Sequence, residues 1–210
     1  MHPNPIFRKT ATARNIRFAR QRSFGVLAVN AEEGPLVSHV PFQLREDGSR
    51  LEMHLVRSNP IVRLLKEPVG AVIAVSGGDS YVSPDWYGID DQVPTWNYVA
   101  VHLRGMLALS AQEELHGVLE RLSADMEQRL APKRPWTIDK MDAEIYARMQ
   151  RQIVPVAMRI DDIQGTWKLS QNKTAQVRER AMAGIRDGGF GSETDRIAHL
   201  MDALEQEEQQ

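Results

Sequence analysis

The 210-residue chain contains no cysteine. This excludes disulfides, thiol catalysis, Cys-ligated zinc and iron–sulfur clusters, and it fits a reducing compartment, so we expect a cytoplasmic protein. No apolar run approaches the roughly 20 residues that a transmembrane helix needs, and we therefore expect no membrane insertion. The formal net charge is only −2, so no overall charge draws the protein to nucleic acid.

Signature motifs of several enzyme classes are also missing. The serine in "GDSY" lacks a G-x-S-x-G elbow, and no Walker loop is present. His39, His54 and His102 stand singly in strand patterns, without H-x-H or H-E-x-x-H spacing, so no metal site is predicted. "GGFG" at 188–191 is interpreted as the break between two helices. No residue is identified as catalytic.

Strand patterns dominate the first half of the chain. Pro41 confines its strand to an edge or a bulge, and "EDGS" predicts a hairpin. The continuous apolar run "VGAVIAVSG" predicts a strand buried on both faces, and "VPVAMRID" predicts an alternating strand. The six predicted strands cover residues 23–30, 36–44, 50–56, 69–77, 93–109 and 154–161.

Helix patterns are concentrated in the second half. Ser110 and Glu113 form a capping-box pattern before a helix that continues to about residue 130. Further helices are predicted over about 141–152, 174–187 and 192–206. Because helices follow the strands instead of alternating with them, a small antiparallel barrel with added helices is favoured over a doubly wound sheet. We expect one domain over residues 1–210, with a C-terminal helical hairpin at about 174–206.

The closing hairpin does not have the charge of a DNA-reading element. Its second helix carries Glu193, Asp195 and Asp202 and runs into the acidic tail 205–210. Such a face is repelled by phosphates, since binding to DNA comes mainly from Lys and Arg. The hairpin is therefore predicted to be a packing element, and the basic segment 1–22 is the part that could contact phosphate backbones.

Three polar and aromatic segments remain, at 54–60, 93–98 and 165–173. Arg57 and Lys168 could neutralise a phosphate, and Trp96 and Trp167 could cover a planar ring. The amides of Asn97, Gln171 and Asn172 could read the edges of such a ring. The residues alone leave a structural alternative open, in which the tryptophans are core and the amides cap strand ends.

The sequence at these positions resembles a known family. "SFGVL", "SHVPF", "HLVRSNP", "YVSPDWY", "VPTWNYVAVHLRG" and "GTWKLSQNK" occur in this order, over about residues 3–200. They resemble the PaiB-like FMN-binding negative transcriptional regulators. The resemblance implies a mainly β, α+β fold: a six-stranded antiparallel split barrel that forms a homodimer, with FMN sites at the subunit interface.

The resemblance also implies which segments contact the cofactor: Ser38–Pro41, His54 with Arg57–Pro60, Thr95–Tyr98 and Lys168–Asn172. From side-chain chemistry, we expect Arg57 and Lys168 near the phosphate, and Trp96 and Asn97 near the isoalloxazine. The alternative function is haem binding or breakdown, with His39, His54 or His102 as the axial ligand. If the protein is an enzyme, flavin-dependent oxidoreductase chemistry is the expected class. No residue is a convincing general acid or base; His102 comes nearest because its pKa lies near neutrality, but a strand histidine bonded to a neighbouring carbonyl is the favoured interpretation. The expected cofactor contacts are Ser38, His39, Val40, Pro41, His54, Arg57, Ser58, Asn59, Pro60, Thr95, Trp96, Asn97, Tyr98, Lys168, Ser170, Gln171 and Asn172.

Overall fold

The computed structural model describes residues 1–208, with side chains through residue 204, so the side chains of the acidic tail 205–210 lie outside the described residues. None of the helices within residues 1–208 has the length and apolar character needed to cross a bilayer. The helices are α1 (Thr12–Arg22), α2 (Pro60–Leu64), α3 (Leu115–Gln128), α4 (Ala143–Gln150), α5 (Ala175–Gly188) and α6 (Thr194–Glu208). The strands are β1 (Phe24–Ala31), β2 (Gly34–Pro41), β3 (Gln43–Leu44), β4 (Arg50–Val56), β5 (Val69–Val82), β6 (Thr95–Leu109), β7 (Ile153–Lys168) and β8 (Gly191–Ser192).

The strands form one sheet in the order β2-β1-β5-β6-β7-β4-β3, with β8 paired to β5. The two strands at the ends of this order, β2 and β3, are consecutive in the chain and separated only by buried Phe42. A single connecting residue requires the two edges of the sheet to come together, as in a barrel. The predicted antiparallel barrel is confirmed.

The structure has eight strands, not the predicted six. Phe42 divides the segment 36–44 into β2, which pairs with β1, and β3, which pairs with β4. Gly191 and Ser192 add β8 by pairing with Ser80 and Asp79. Two-residue strands such as β3 and β8 are too short for a periodic pattern to reveal.

The described chain groups into two compact units. The first unit comprises Met1–Asn15, Ser76–Val101 and Gln164–Gln210, and the second comprises Ile16–Val75 and His102–Ile163. The chain of β5, β6 and β7 passes from one unit into the other within each strand. That residues 1–210 behave as one domain stays a prediction.

In the second unit, β4 follows its predicted alternation. Leu51, Met53 and Leu55 are buried, while Glu52 and His54 are half-buried on the opposite face. β3 and β4 pair antiparallel, which confirms the predicted hairpin. Its turn is held by local hydrogen bonds, in which Asp47 Oδ1 accepts from the backbone N–H and the hydroxyl of Ser49.

Two burial patterns differ from the predictions. Within β5, Ala71, Ile73 and Val75 are buried but the residues between them are half-exposed, so only one face of this run is covered. Within β7, Val154–Met158 are all buried. β7 lies inside the strand order, and this part of it is covered on both faces, which removes the expected alternation.

The long helix after β6 begins later than predicted. Ser110 does not cap it, because the residue at the N-cap position of α3 is Glu114. A 3₁₀ turn, Gln112–Glu114, intervenes before α3 starts at Leu115. The capping-box pattern therefore misplaced the helix start by one turn.

The C-terminal hairpin lies in the first unit, and both of its helices bury apolar side chains. α5 buries Ala181 and Ile185, and α6 buries Ile197, Ala198 and Met201. These two helices therefore associate through apolar side chains.

Gly105 on β6 gives a direct test of packing in the second unit. A Cβ atom at Gly105 would overlap the backbone carbonyl of Arg159, which cannot move without distorting β7. We expect Gly105→Ala to lower the free energy of unfolding by about 3 kcal/mol. The measurement is urea denaturation, with Gly70→Ala in β5 as the control, because nothing lies within 4 Å of a Cβ at Gly70. Equal midpoints for the two variants would contradict this packing.

Candidate functional site

The first unit contains a buried hydrogen-bond network between β6 and the turn after β7. The amide of Asn97 is fully buried, and its Nδ2 donates to Ser170 Oγ at 3.0 Å and to Met201 Sδ at 3.3 Å. Ser170 Oγ also lies 3.3 Å from Asn97 Oδ1 and 3.3 Å from the Tyr87 hydroxyl. The pKa of Tyr87 is raised by burial, an effect partly offset by its hydrogen bond with Ser170. Asn97 and Ser170 are thus satisfied by protein groups and act as a brace.

Lys168, at the end of β7, points its ammonium at Thr95, at the start of β6. Lys168 Nζ donates to Thr95 Oγ1 and lies 5.8 Å from the centre of the Phe7 ring. Partial burial lowers the pKa of Lys168. Within residues 1–204, no carboxylate lies within 4.0 Å of this ammonium, so its charge has only a hydroxyl and an aromatic ring as partners.

Trp96 stands between Thr95 and Asn97 and faces solvent, with 41% of its surface exposed. Its indole lies 6.2 Å from the Tyr81 ring at 74° and 5.7 Å from the Phe190 ring at 58°. Phe190 is itself 70% exposed. The strand alternation that buries Asn97 places Trp96 on the outer face of β6, where it forms an exposed aromatic surface with Tyr81 and Phe190.

The turn after β7 is folded onto its own backbone. Gln171 Oε1 accepts from the Leu169 N–H at 2.7 Å, and Gln171 Nε2 donates to Trp167 O. Ser170 adopts a left-handed conformation with φ +60°. Gln171 therefore stabilises the turn, while Asn172 is exposed and Tyr98 is half-buried.

The two tryptophans of the predicted polar segments differ. Trp167 is buried, its Nε1 donates to Asn15 Oδ1 at 2.8 Å, and the Arg14 guanidinium lies 4.7 Å above its ring. Trp167 is therefore core, whereas Trp96 is on the surface. The structural alternative, in which the tryptophans are core residues, therefore holds for Trp167 but not for Trp96.

In the second unit, the ends of β2 and β4 form a separate group. Asn59 Nδ2 donates to Ser38 Oγ at 3.0 Å, and Asn59 Oδ1 accepts from the Ile61 N–H and caps α2. Val40 is buried, whereas Pro41 is exposed. The neighbours Ser58 and Pro60 are also exposed. The structure thus brings Ser38 and Asn59 together.

Arg57 makes contacts of a different kind. Its guanidinium donates to Arg151 O at 3.0 Å, Gln112 Oε1 at 3.0 Å and Ile153 O at 3.2 Å. These three neutral oxygens belong to the turn before β7 and the turn before α3. The contacts favour a brace between these turns over a free phosphate ligand.

The three strand histidines differ in exposure. His39 is exposed and its ring stacks on Phe24 at 6.4 Å. His54 and His102 are half-buried, each with a buried Nδ1 that has no hydrogen-bond partner. Burial lowers the pKa of both imidazoles, which favours their neutral forms near pH 7.

Sequence reasoning missed three residues of the first unit's cluster. Tyr87 and Met201 contact the Asn97–Ser170 network, and Phe190 contacts Trp96. Tyr87 and Trp96 both occur in quoted family segments, but Met201 and Phe190 come from the C-terminal hairpin. The sequence signal for Phe190 was an aromatic residue between glycines in "GGFG".

Comparison with known proteins identifies the family. A family model described as "Putative FMN-binding domain" matches residues 1–162, most of the chain. The protein therefore belongs to this family, which agrees with the resemblance in its sequence motifs.

Two curated relatives cover most of their own lengths. "Protease synthase and sporulation protein PAI 2" of Bacillus subtilis is 28% identical over 172 residues, covering 80% of this chain and 82% of the relative. "Uncharacterized protein AN0679" of Emericella nidulans is 26% identical over 211 residues, covering 81% and 84%. The similarity thus extends over most of each protein.

Solved structures support the fold. The "FAD and Heme binding protein" of Mycobacterium smegmatis is similar with a TM-score of 0.57 and 18% identity, over 89% of this chain and 82% of that one. The conserved hypothetical protein Rv2991 of Mycobacterium tuberculosis gives 0.55 and 15%, over 80% and 91%. At these identities the likeness shows the flavin-binding split-barrel fold alone.

The buried network predicts a large effect at Asn97 and a small one at Asn172. We expect Asn97→Ala to lower the free energy of unfolding by about 3 kcal/mol, because it leaves a cavity and unpaired polar groups. Asn172→Ala, on the exposed turn, should change it by less than about 0.5 kcal/mol. Urea denaturation measures both. Similar losses for the two variants would contradict the structural role of Asn97.

Proposed function

We propose that this protein binds FMN in its first unit, with the phosphate at Lys168 and the ring against Trp96. The observation that carries the proposal is the half-buried Lys168 ammonium, which has hydroxyl and aromatic neighbours but no carboxylate among the described side chains. Burying an uncompensated cation is unfavourable, and an incoming anion removes that cost. The family match supplies the identity of the anion, a flavin phosphate.

The donors around Lys168 suit a phosphate. A phosphate monoester carries about −1.5 to −2 charge at pH 7 and offers three acceptor oxygens. Lys168 would provide the charge, and the Thr95 hydroxyl that it now contacts would provide a neutral donor. Binding would also reverse the effect of burial on Lys168, because a nearby anion favours the charged amine.

The aromatic surface suits the flavin ring. Trp96 exposes an indole that Tyr81 and Phe190 hold from two directions. Offset stacking on such a surface buries a large apolar area without requiring Trp96 to reorder. Asn97 and Ser170 would act through position, since their bonds to one another hold Trp96 and Lys168 in place.

When bound, FMN would supply one- and two-electron transfer, and the protein would supply orientation and charge. The remaining expected contacts, Ser38–Pro41, His54 and Arg57–Pro60, belong to the second unit and stay proposals. Ser38 and Asn59 offer a hydroxyl and an amide, whereas Arg57 is already bonded to three carbonyl-type oxygens.

We also propose that two copies associate through the outer face of β1, β2 and β5 in the second unit. The registers place Val26 beside His39 and Ala74, and Ala28 beside Val37 and Val72. Val37 is 57% exposed, and Phe24 at one end of this face is 54% exposed. A continuous apolar sheet face of this kind is typical of subunit interfaces.

Lys168 can be tested by comparing FMN with riboflavin, which lacks the phosphate. We expect Lys168→Met to weaken FMN binding by about 10- to 100-fold, the loss of one charge-assisted hydrogen bond. Riboflavin binding should stay within about twofold. Titrations followed by flavin fluorescence give both constants.

The matched control is Lys9→Met, which removes an exposed lysine of the same unit. This variant should bind both flavins like the wild type. Equal weakening of FMN and riboflavin by Lys168→Met would place the phosphate elsewhere, and a wild-type protein that binds neither flavin would overturn the function itself.

The pKa of Lys168 predicts a pH dependence. Above about pH 7, where the phosphate is almost fully ionised, affinity for FMN relative to riboflavin should be constant while Lys168 is charged, and should fall as the pH rises through the pKa of Lys168. Because burial lowers that pKa, the fall should begin below the pH at which an ordinary lysine titrates. The ring ionises alike in both ligands, so the ratio of their dissociation constants isolates the phosphate. A ratio that stays flat in alkali would exclude Lys168.

The dimer is tested by a charge on the apolar face. The wild type should have twice the chain mass of 23.8 kDa, and Val37→Lys should shift it to the monomer, because a buried lysine is costly. Sedimentation equilibrium measures the mass. Val93→Lys, at a 73% exposed position in the first unit, should remain dimeric. A dimeric Val37→Lys variant would assign the interface to another surface.

A further inference from the structure

A concave site lies in the second unit, between α3, α4 and the segment that joins these helices. Its volume is about 980 Å³, within the range of small-molecule sites. Its walls include Trp136, Met141, Tyr146 and Ile138. None of the residues proposed to contact FMN lines it, so this site is separate from the proposed flavin contacts.

One wall is fixed by a carboxylate on α3. Glu127 Oε2 accepts from the backbone N–H of Trp136 at 2.7 Å and from Lys133 Nζ. These bonds lower the pKa of Glu127, with the Lys133 hydrogen bond as the largest cause. Lys140 Nζ also donates to Pro135 O at 3.0 Å. The segment 133–140 is therefore held by hydrogen bonds before and after Trp136 in the chain.

The opposite wall is fixed by a bond between α3 and α4. His116 Nδ1 lies 2.9 Å from the Tyr146 hydroxyl, and the two rings meet edge to face at 5.8 Å. Gln150 Nε2 donates to the same hydroxyl at 3.0 Å. Both aromatic walls are thus positioned before any ligand arrives, which reduces the entropy lost on binding.

The charge in the site is negative. Arg121 is neutralised by Glu52 at 2.6 Å, and Asp125 by Arg129 at 2.7 Å. Glu120 has no ion-pair partner within 4.0 Å among the described side chains, and its charge adds to the effect of burial in raising the pKa of Tyr146.

Asp139 adds a second carboxylate, which Thr137 and, at longer range, Lys140 and Arg134 stabilise. Glu120, whose side chain is exposed at the rim, is therefore the least compensated charge of a cavity whose walls are otherwise largely apolar. An apolar cavity with one uncompensated charge favours a ligand of the opposite sign.

We propose that this cavity binds a small organic cation, an ammonium group on an apolar body. The ammonium would pair with Glu120, and the Trp136 face would add a cation–π contact. The apolar body would lie against Met141 and Ile138. Anionic ligands are disfavoured by the same carboxylates.

The test uses three probes of equal size and different charge: benzylamine, benzyl alcohol and benzoate. Protein labelled with 5-fluorotryptophan reports binding by fluorine NMR, and Trp136→Phe identifies the Trp136 resonance. We expect benzylamine to shift this resonance saturably, with a dissociation constant at least fivefold below that of benzyl alcohol. Benzoate should bind more weakly than both.

Glu120→Gln should weaken benzylamine binding by about fivefold and leave benzyl alcohol binding unchanged. The matched control is Glu113→Gln, an exposed glutamate outside the cavity, which should bind like the wild type. Equal affinity for all three probes, no shift of Trp136 with benzylamine, or an unchanged Glu120→Gln variant would each overturn the proposal. The probe comparison on the wild type decides the question even if Glu120→Gln does not fold.

Discussion

The hydrogen bonds between Asn97 and Ser170 determine the geometry of the first unit's candidate site. They join the start of β6 to the turn after β7, two segments far apart in the chain, in a place without water access. A buried amide is costly when unpaired, so these bonds strongly favour one arrangement of the two segments. Trp96 precedes Asn97 in the chain, and Lys168 lies two residues before Ser170, so the hydrogen bonds between Asn97 and Ser170 help to position both residues.

The brace separates structural from ligand-binding roles within one short segment. Alternation along β6 turns Asn97 inward and Trp96 outward, so adjacent residues serve opposite purposes. The same division occurs after β7, where Gln171 closes the turn on its own backbone and Lys168 keeps a charge without a carboxylate partner. The site therefore offers one cation and one exposed aromatic surface, held by residues that are already satisfied.

Much of the fold could be predicted from periodicity. The strand over 50–56 and the two helices of the C-terminal hairpin are local patterns, and local patterns are what a sequence displays directly. β8 and the backbone bond of Ser110 depend on partners distant in the chain, Asp79 and Pro155. No window of sequence contains those partners, so periodicity could not locate these features.

The residue types of the candidate site could be predicted from the sequence, but the role of each residue could not. Trp96 and Trp167 occur in similar polar segments, yet one is exposed and the other is bonded to Asn15 inside the core. Arg57 and Lys168 are both cations beside strand ends, but the carbonyl groups around Arg57 already occupy its guanidinium. Such differences arise from tertiary contacts, and side-chain chemistry alone does not distinguish them.

The PaiB-like family that the sequence resembles is named for transcriptional regulation, but α6 of this chain has acidic residues on its surface. α6 carries Asp195 and Asp202, which a phosphate-lined groove would repel. The charge of this helix agrees with the predicted packing role of the hairpin, and FMN is the cofactor that the family match indicates.

Phosphorus NMR of FMN mixed with the protein tests FMN binding most directly, because it observes the phosphate that Lys168 is proposed to bind. We expect a bound phosphate resonance, distinct from that of free FMN, in the wild type and in Lys9→Met but not in Lys168→Met. A wild-type spectrum that shows only free FMN at high protein concentration, or a bound resonance unchanged by Lys168→Met, would contradict it.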